Sequence, residues 1–387
     1  QPAGCVSANW AAEVGLLTRN IVVDGGGLTA APSDPGAARV RISFVEMRVN
    51  PPGRLGDGDT PYAVVAHGAG LLNDSYVRGC SVHGANGGVK VLQSQDLVLE
   101  NNVVATAEGH AFWLEDSEIE LRANLGLAVQ PTDDATAAAL ATFFFSGVSS
   151  SGVFNENVAA GSAGDGFMFV QRPVSWLSDA SQAPSIEFKN NTAHSSTNGV
   201  WVQPSTSAGP RLGFAATDVN AYHNRESGAI FFGSAQVDSS TFAGNALANI
   251  HIASSDIAEE VSLLGSVFLL GNESSVGSNA VGLLLASPSQ VQVTGVHFGG
   301  YTTLQNPAIR VAHEPAASGL QIRTSALTFC EPGTRLSFVH EHSALLEDAD
   351  GSLVGAPGWA LPSSGLLPPD NCRTEATLDN GLACDAG

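Results

Sequence analysis

Basic residues are scarce in this sequence. Its 387 residues include 16 lysines and arginines against 37 aspartates and glutamates, which gives a formal net charge of −21. A field of this sign repels nucleic acid and anionic membrane surfaces. We therefore expect no nucleic-acid partner, and we expect the acidic surface to keep the protein soluble.

Long apolar runs are also missing. No stretch approaches the roughly 18 consecutive apolar residues of a membrane-spanning helix. No basic segment followed by an apolar one, as in a signal peptide, precedes Gln1. We expect no membrane span in this chain, and the sequence has the features of a mature or excised polypeptide.

Cysteine is too sparse and too scattered for a structural zinc site. The five cysteines, Cys5, Cys80, Cys330, Cys372 and Cys384, form neither a CxxC pair nor a Cys/His cluster. Cys372 and Cys384 close a short loop in a Pro/Gly-rich tail, which predicts a disulfide in an oxidising compartment. Cys5 or Cys330 can fix a chain end, and the odd count leaves one thiol free or paired outside this chain.

Glycine, in contrast, is abundant. The chain has 43 glycines and 19 prolines but only 14% charged residues, which favours many short strands joined by turns over long helices. Three sequons begin at Asn73, Asn190 and Asn272. They indicate a secreted glycoprotein at an extracellular or cell-surface location.

A repeat runs along the chain at intervals of about 20 to 30 residues or more. Each repeat has an asparagine, a turn of small residues and a β-rich run, and four of these asparagines align: Asn102, Asn157, Asn191 and Asn220. The apolar side chains of one such coil can be buried only against the next coil, about 4.8 Å away. The aligned asparagines then form an internal hydrogen-bonded ladder.

The repeat predicts an all-β protein, a right-handed single-stranded parallel β-helix of the pectate-lyase-like kind. We expect this solenoid, with its N-terminal lead-in, over residues 1–330. Residues 331–387 are expected to form an irregular cap or connection closed by the disulfide. Segments 51–61, 130–141, 171–184 and 203–210 break the period and are expected to be insertions collected on one flank.

Five motifs follow one another in the order found in a known family. They occupy residues 12–23, 53–56, 74–83, 109–116 and 157–162, and together they extend over about residues 11–200. In them the sequence resembles the parallel β-helix (PbH1) region of fibrocystin, the fibrocystin-like proteins, and the cell-migration-inducing and transmembrane hyaluronidases. The resemblance implies an extracellular β-helix, in a family that ranges from receptor-like proteins to proteins associated with hyaluronan breakdown.

One departure from the family weakens the enzyme hypothesis. The family commonly has Tyr-Pro-Ile-His-Phe-His after the Gly-Arg-Leu-Gly element, whereas this chain has Thr-Pro-Tyr-Ala-Val-Val-Ala-His at residues 60–67. Only His67 remains. Paired imidazoles on alternate strand residues would share a face and could bind a metal or transfer a proton, so losing one compromises that chemistry.

The best candidate catalytic constellation lies on three consecutive coils: His67, His83, His110, Glu115 and Asp116. Neighbouring histidines and carboxylates shift one another's pKa and can supply a general acid, a general base or cation ligands. In the structural alternative, His83 and His110 cap turns while Glu115 and Asp116 end a strand.

No motif requires a cofactor, but Ca²⁺ could bind clustered carboxylates. Asp57 and Asp59 are weak candidate ligands, as are Asp348 and Asp350, and all four also fit solvated turns.

Exposed aromatics could stack on a sugar. Trp113, Trp201 and Phe232 occupy β-rich runs, where we expect them in the core of a coil instead.

Two functions remain open. The first is a non-catalytic extracellular scaffold that serves a structural, adhesive, coat-building or filament-building role and is glycosylated. The second is a carbohydrate-active enzyme, a hydrolase or lyase, or a glycan-binding protein of the hyaluronidase-associated kind. The expected partners are glycans, other extracellular proteins or further copies of the chain.

Overall fold

A computed structural model describes residues 21–24, 28–30, 39–48, 62–131, 140–147, 152–170, 185–203, 213–253, 260–271, 280–286, 290–312, 322–339, 346–363 and 372–385. The chain divides into two compact units, of which the first ends at Gly213 and the second runs from Phe214 to Gly387. The described residues include no helix long and apolar enough to cross a lipid bilayer.

Strands on three faces build the first unit, and each strand pairs in parallel with the equivalent strand one coil away. The first face consists of β2 (Leu28–Ala30), the first parts of β5 (Tyr62–Arg78) and β7 (Gly87–Glu100), β9 (Phe112–Glu115), β12 (Ala141–Ser146), β15 (Asp165–Val170) and β18 (Val200–Gln203). The second face consists of β3 (Arg41–Ser43), the later parts of β5 and β7, β10 (Glu118–Arg122), β13 (Val153–Asn155) and β16 (Ser185–Lys189). The third face consists of β1 (Ile21–Asp24), β4 (Val45–Arg48), β6 (Ser81–His83), β8 (Val103–Ala105), β11 (Leu125–Leu127), β14 (Val158–Ala160) and β17 (Thr192–His194).

The second unit repeats this plan. Its first face consists of β21 (Ser227–Phe231), β24 (Ala248–Ile252), β27 (Val281–Leu285), β30 (Ile309–Val311), β33 (Leu336–Phe338) and β37 (Leu378–Asp379). Its second face consists of β19 (Gly213–Thr217), β22 (Ala235–Asp238), β25 (Glu260–Leu264), β28 (Gln290–Thr294), β31 (Ile322–Ser325) and β34 (Leu346–Asp348). Its third face consists of β20 (Asn220–Tyr222), β23 (Thr241–Ala243), β26 (Val267–Leu270), β29 (Val296–Gly299) and β32 (Thr328–Phe329). The predicted fold class, a parallel β-helix, is confirmed.

Columns of identical or similar side chains fill the interior. On the first face of the first unit, Phe112, Phe143 and Phe167 stand in register on three successive coils and are almost fully buried. Their rings stack with centroids 4.7 Å apart at each step. Alternate residues of a strand point to opposite sides, so this column is inward and its strand neighbours point outward.

An asparagine ladder closes the corner between the second and third faces. Asn102, Asn124, Asn157 and Asn191 each precede a third-face strand, and each is at most 2% exposed. Nδ2 of every one of the first three donates to Oδ1 of the next, at 3.0 Å. Cys80 begins the series, because its backbone N–H donates to Oδ1 of Asn102 at 3.0 Å.

Each asparagine also bonds back to the preceding coil. Nδ2 of Asn157 donates to the carbonyl oxygen of Leu121 at 3.1 Å, while its Oδ1 accepts both the backbone and side-chain N–H groups of Asn124. The buried amide therefore has a partner for every donor and acceptor, and it links three coils.

The predicted ladder is confirmed for three of its four residues. The prediction for Asn220 is wrong, because this residue lies in β20, is exposed, and comes one position after the ladder position. Val219 occupies the ladder position there, and its N–H donates to Oγ of Ser240 at 3.0 Å. Asn124, which the sequence alignment missed, is a full member.

The parallel pairing continues past the predicted boundary at residue 330. β33 pairs with β30, and β34 pairs with β31, both in parallel. Beyond them β35 (Gly358–Pro362), β36 (Cys372–Thr374) and β38 (Gly381–Asp385) form antiparallel pairs rather than an irregular cap. These strands cover the edge that β34 would otherwise expose.

The predicted disulfide joins Cys372 and Cys384, which face each other across β36 and β38. Cys330 is also disulfide-bonded. Cys80 is buried and is not disulfide-bonded, in agreement with the odd count of cysteines.

The ladder makes a direct prediction for stability. Asn157→Ala leaves buried N–H groups of Asn124 without an acceptor, and we expect the free energy of unfolding to fall by about 1–3 kcal/mol. Asn220→Ala is the matched control, because an exposed asparagine outside the ladder should change it by no more than about 0.5 kcal/mol. Denaturant titration of both variants measures the difference, and equal losses would contradict the ladder.

Candidate functional site

The outward side of the first face carries a second column of side chains. In the first unit, Lys90 stands beside Trp113 on the next coil, followed in register by Phe144, Met168 and Trp201. Phe144 and Met168 are buried, and both tryptophans are partly buried against them.

The prediction that the tryptophans lie in the core of the coil is therefore wrong. Trp113 lies between the inward Phe112 and Leu114, so strand alternation turns it outward. Trp201 lies between the buried Val200 and Val202 in the same way. Phe232 is only partly buried and directly follows β21.

Lys90 lies against two aromatic rings. Its Nζ is 4.3 Å from the ring centroid of Trp113 and 5.3 Å from that of Tyr62. Gly87 makes room for the tyrosine, since a Cβ there would lie 2.4 Å from Cε1 of Tyr62. No carboxylate of the described residues forms an ion pair with Lys90. Attraction to the faces of the rings holds this ammonium group in place.

His110 packs into the same cluster. Its ring stacks on Phe144 with centroids 4.6 Å apart and meets Trp113 edge-on at 5.1 Å. Its Nδ1 is 3.0 Å from the carbonyl oxygen of Ala141 and 3.2 Å from the amide nitrogen of that residue. The ring is thus fixed by packing and by the backbone of the adjacent coil.

Burial changes the acid–base chemistry of His110. It lowers the pKa of the imidazole to about 4, against the opposing effect of the hydrogen bond to the Ala141 backbone. The positive charge of Lys90 has a smaller effect, in the same direction as burial. At neutral pH the ring is therefore neutral. A group with this pKa is a poor general acid or base near pH 7, since proton transfer is most efficient when the pKa lies near the working pH.

Glu115 joins the cluster through Trp113. Its Oε2 accepts a hydrogen bond from Nε1 of the indole at 3.2 Å. His67 lies in the same outward column as Glu115, but Leu92 stands between them. The exposed His67 is therefore two coils away from the carboxylate.

Asp116 lies at the corner that ends the first face. Its φ of 46° places it in the left-handed region, and its N–H donates to the carbonyl oxygen of Ser146 at 2.9 Å. A Cβ on residue 147 would lie 2.2 Å from Oδ1 of Asp116, and the φ of Gly147 is 62°. Glycine therefore fits at position 147 without strain. Asp116 therefore shapes the turn that follows β9, and Glu115 is the last residue of that strand.

His83 lies on a different face from the other candidates. It ends β6 on the third face, where its Nε2 is 2.9 Å from Oε1 of Glu46. The same oxygen accepts from Nε of Arg48, and the side chain of Glu46 is only 2% exposed. The five predicted site residues therefore do not converge: His110 and Glu115 share one cluster, and the rest lie apart from it.

Several predicted residues lie outside the part of the chain that the structure describes. These are the calcium candidates Asp57 and Asp59, the sequon residue Asn272, and the side chain of Asn73. Within the described ranges, no group of three or more histidine, cysteine, aspartate or glutamate side chains is placed to hold a metal ion. Asp348 instead organises a turn, because its Oδ2 accepts the N–H groups of Leu353 and Val354.

We define the Lys90 cluster as Tyr62, Lys90, His110, Trp113 and Glu115. The sequence alone did not indicate Lys90 and Tyr62 as partners of Trp113. Strand alternation around Val89 and Val91 would have placed Lys90 outward, but pairing it with Trp113 required the register between two coils. Three of the predicted interruptions, at 130–141, 171–184 and 203–210, adjoin strands of this same face.

With this geometry the molecule belongs to the class of parallel β-helix modules. A family model of the CEMIP β-helix matches residues 60–200. Human fibrocystin-L is 28% identical over 404 aligned residues, covering 91% of this chain and 9% of the relative. Mouse fibrocystin is 27% identical, covering 80% of this chain and 8% of the relative. Residues 60–200 are therefore similar to the CEMIP β-helix, and most of the chain is similar to a part of fibrocystin-L and fibrocystin. The chain spans about a tenth of the length of these relatives.

Two solved bacterial proteins align with most of this chain. The A-module of a mannuronan C-5 epimerase of Azotobacter vinelandii covers 82% of this chain with 12% identity and a TM-score of 0.47. PfbA, a surface adhesin of Streptococcus pneumoniae, covers 94% with 11% identity and a TM-score of 0.40. Similarity at this level carries no argument about function.

The shifted pKa of His110 predicts a pH effect on stability. Between pH 6.5 and about 4 the unfolded chain binds a proton at this residue that the folded chain does not, so stability falls as the pH falls through that window. Over this window we expect the free energy of unfolding of the His110→Gln variant to fall by roughly 3 kcal/mol less than that of the wild type. Denaturant unfolding at a series of pH values tests this, and parallel curves for the two proteins would refute it.

Proposed function

We propose that this chain is a non-catalytic extracellular or cell-surface β-helix module, which serves as a rigid structural and adhesive part of a larger protein. Its similarity to fibrocystin-L and its disulfide-bonded cysteines support this location, because disulfides persist in oxidising compartments. The acidic net charge of −21 is consistent with an exposed module that must remain soluble.

The observation that carries the proposal is the separation of the candidate acid–base residues. His83 is bonded to the buried Glu46 on the third face, whereas His110 and Glu115 lie on the first. Acid–base catalysis on a glycan needs two titratable groups within reach of one glycosidic bond. His110 is buried and neutral at pH 7, and Asp116 shapes a turn, so we expect neither to act with Glu115 as an acid–base pair.

We expect no turnover of neutral or acidic polysaccharides by the wild-type chain, with or without Ca²⁺. The assay compares the rate of reducing-end release with that of a heat-denatured sample and of a His110→Ala, Asp116→Ala variant. Cleavage by the wild type that disappears in a folded variant would overturn the proposal and assign an active site to these coils. Thermal unfolding of the variant checks that it is folded.

The Lys90 cluster favours a second function, binding of a glycan without turnover. Its tryptophan, tyrosine, ammonium, imidazole and carboxylate groups lie together on the outward side of the first face. Apolar rings with a few placed polar groups are typical of small-ligand sites. The positive charge of Lys90 is without a carboxylate partner among the described residues, so it would favour a sugar that carries an anionic group.

Substitution of single lysines distinguishes glycan binding at the Lys90 cluster from a general effect of the protein's net charge. Lys90→Ala should weaken the binding of uronic-acid oligosaccharides about tenfold, because it removes the cation held by Trp113. Lys189→Ala is the matched control: it makes the same change in charge on the exposed end of the second face and should leave the affinity unchanged. Calorimetric titration gives both values. Equal weakening by the two variants would show that net charge alone governs binding.

A further inference from the structure

Four equivalent corners precede the rungs of the asparagine ladder. Asn101, Ala123, Glu156 and Asn190 have φ values of 55°, 50°, 60° and 53°. This left-handed conformation bends the chain between the second and third faces. The corner residue Asn190 is exposed, while the next residue, the ladder member Asn191, is 0% exposed.

Only one of these four corners carries a complete sequon. Asn190 is followed by Asn191 and Thr192, whereas valine or leucine occupies the position of Thr192 in the other three corners. Thr192 begins β17 on the third face, and its neighbour Ala193 is the buried, inward residue. The corner therefore presents the acceptor asparagine and the hydroxyl residue on the outside and keeps the middle residue inside.

The amide of Asn190 retains a hydrogen for reaction. Its Nδ2 donates one hydrogen bond, to Oδ1 of Asn155 on the preceding coil at 3.2 Å. An amide nitrogen carries two hydrogens, so substitution of the second leaves this bond intact. An attached group would extend from the corner without disturbing the ladder.

We propose that Asn190 is a site of N-linked glycosylation. Its Nδ2 forms the bond to the anomeric carbon of a lipid-pyrophosphate-linked oligosaccharide, the lipid pyrophosphate leaves, and the nitrogen releases one proton. This inference rests on the proposed extracellular location, because the modification takes place during export.

The position has a consequence for recognition. The corner joins the second and third faces of the first unit and does not border the first face, where the Lys90 cluster lies. A bulky, solvated oligosaccharide would shield the corner and the adjoining ends of β16 and β17. It would leave the outward column of the first face uncovered as a contact surface.

Peptide mass spectrometry of the full chain, secreted from a eukaryotic host, tests the site. Enzymatic release of N-glycans converts an occupied asparagine to aspartate, and we expect this conversion at Asn190. Thr192→Val should abolish it, and Thr192→Ser, which keeps a hydroxyl, should retain it. An unmodified Asn190 peptide from secreted wild-type protein with an intact Cys372–Cys384 disulfide would overturn the proposal while leaving the extracellular location standing.

A designed gain of glycosylation tests whether the corner geometry is the reason. The double substitution Glu156→Asn, Val158→Thr places a sequon at the equivalent exposed corner one coil earlier and keeps the ladder residue Asn157. We expect this corner to become occupied. Occupancy at Asn190 but not at the new site would refute the geometric argument. Thermal unfolding confirms that each variant is folded.

Discussion

The whole structure depends on one constraint: no coil can bury its own apolar side chains, so each must lie in register on its neighbours. The rings of Phe112, Phe143 and Phe167 meet this constraint for apolar groups, because they stack on successive coils with 4.7 Å between centroids. The asparagine ladder meets the same constraint for polar groups, because the buried side-chain amides must find their hydrogen-bond partners on adjacent coils. A shift of one residue would turn the phenylalanines outward and break the ladder at the same time.

The sequence was sufficient for the architecture because this constraint repeats. Aligned asparagines, small-residue turns and β-rich runs indicated a parallel β-helix, and the three correct ladder positions show that the aligned segments of the first unit were in register. It failed at Asn220, because a valine, Val219, occupies the ladder position there and the asparagine is one residue further along. Asn124 was missed because its repeat lacks the usual pair of asparagines.

The candidate site was less predictable, and the reason is physical. Proximity along the chain suggested that His83 and His110 share a groove, but a coil has three faces, and a difference of a few residues moves a side chain to another face. The tryptophans were placed inside because large aromatics are usually buried. Burial against neighbouring coils on the outer side satisfies that preference equally well, as Trp113 shows with Lys90 and Phe144.

The ladder also has a direction. The side-chain amides of Asn102, Asn124 and Asn157 each donate one hydrogen bond to Oδ1 of the next rung on the C-terminal side, so the side-chain dipoles align head to tail and can reinforce one another. Cys80 is the N-terminal end of the series. A thiol in that position has no amide to extend the ladder, and only the backbone N–H of Cys80 donates to Asn102. A new coil that carries an asparagine at its corner can therefore be inserted between two existing rungs without altering either, which makes duplication of a single coil a simple way to lengthen this scaffold.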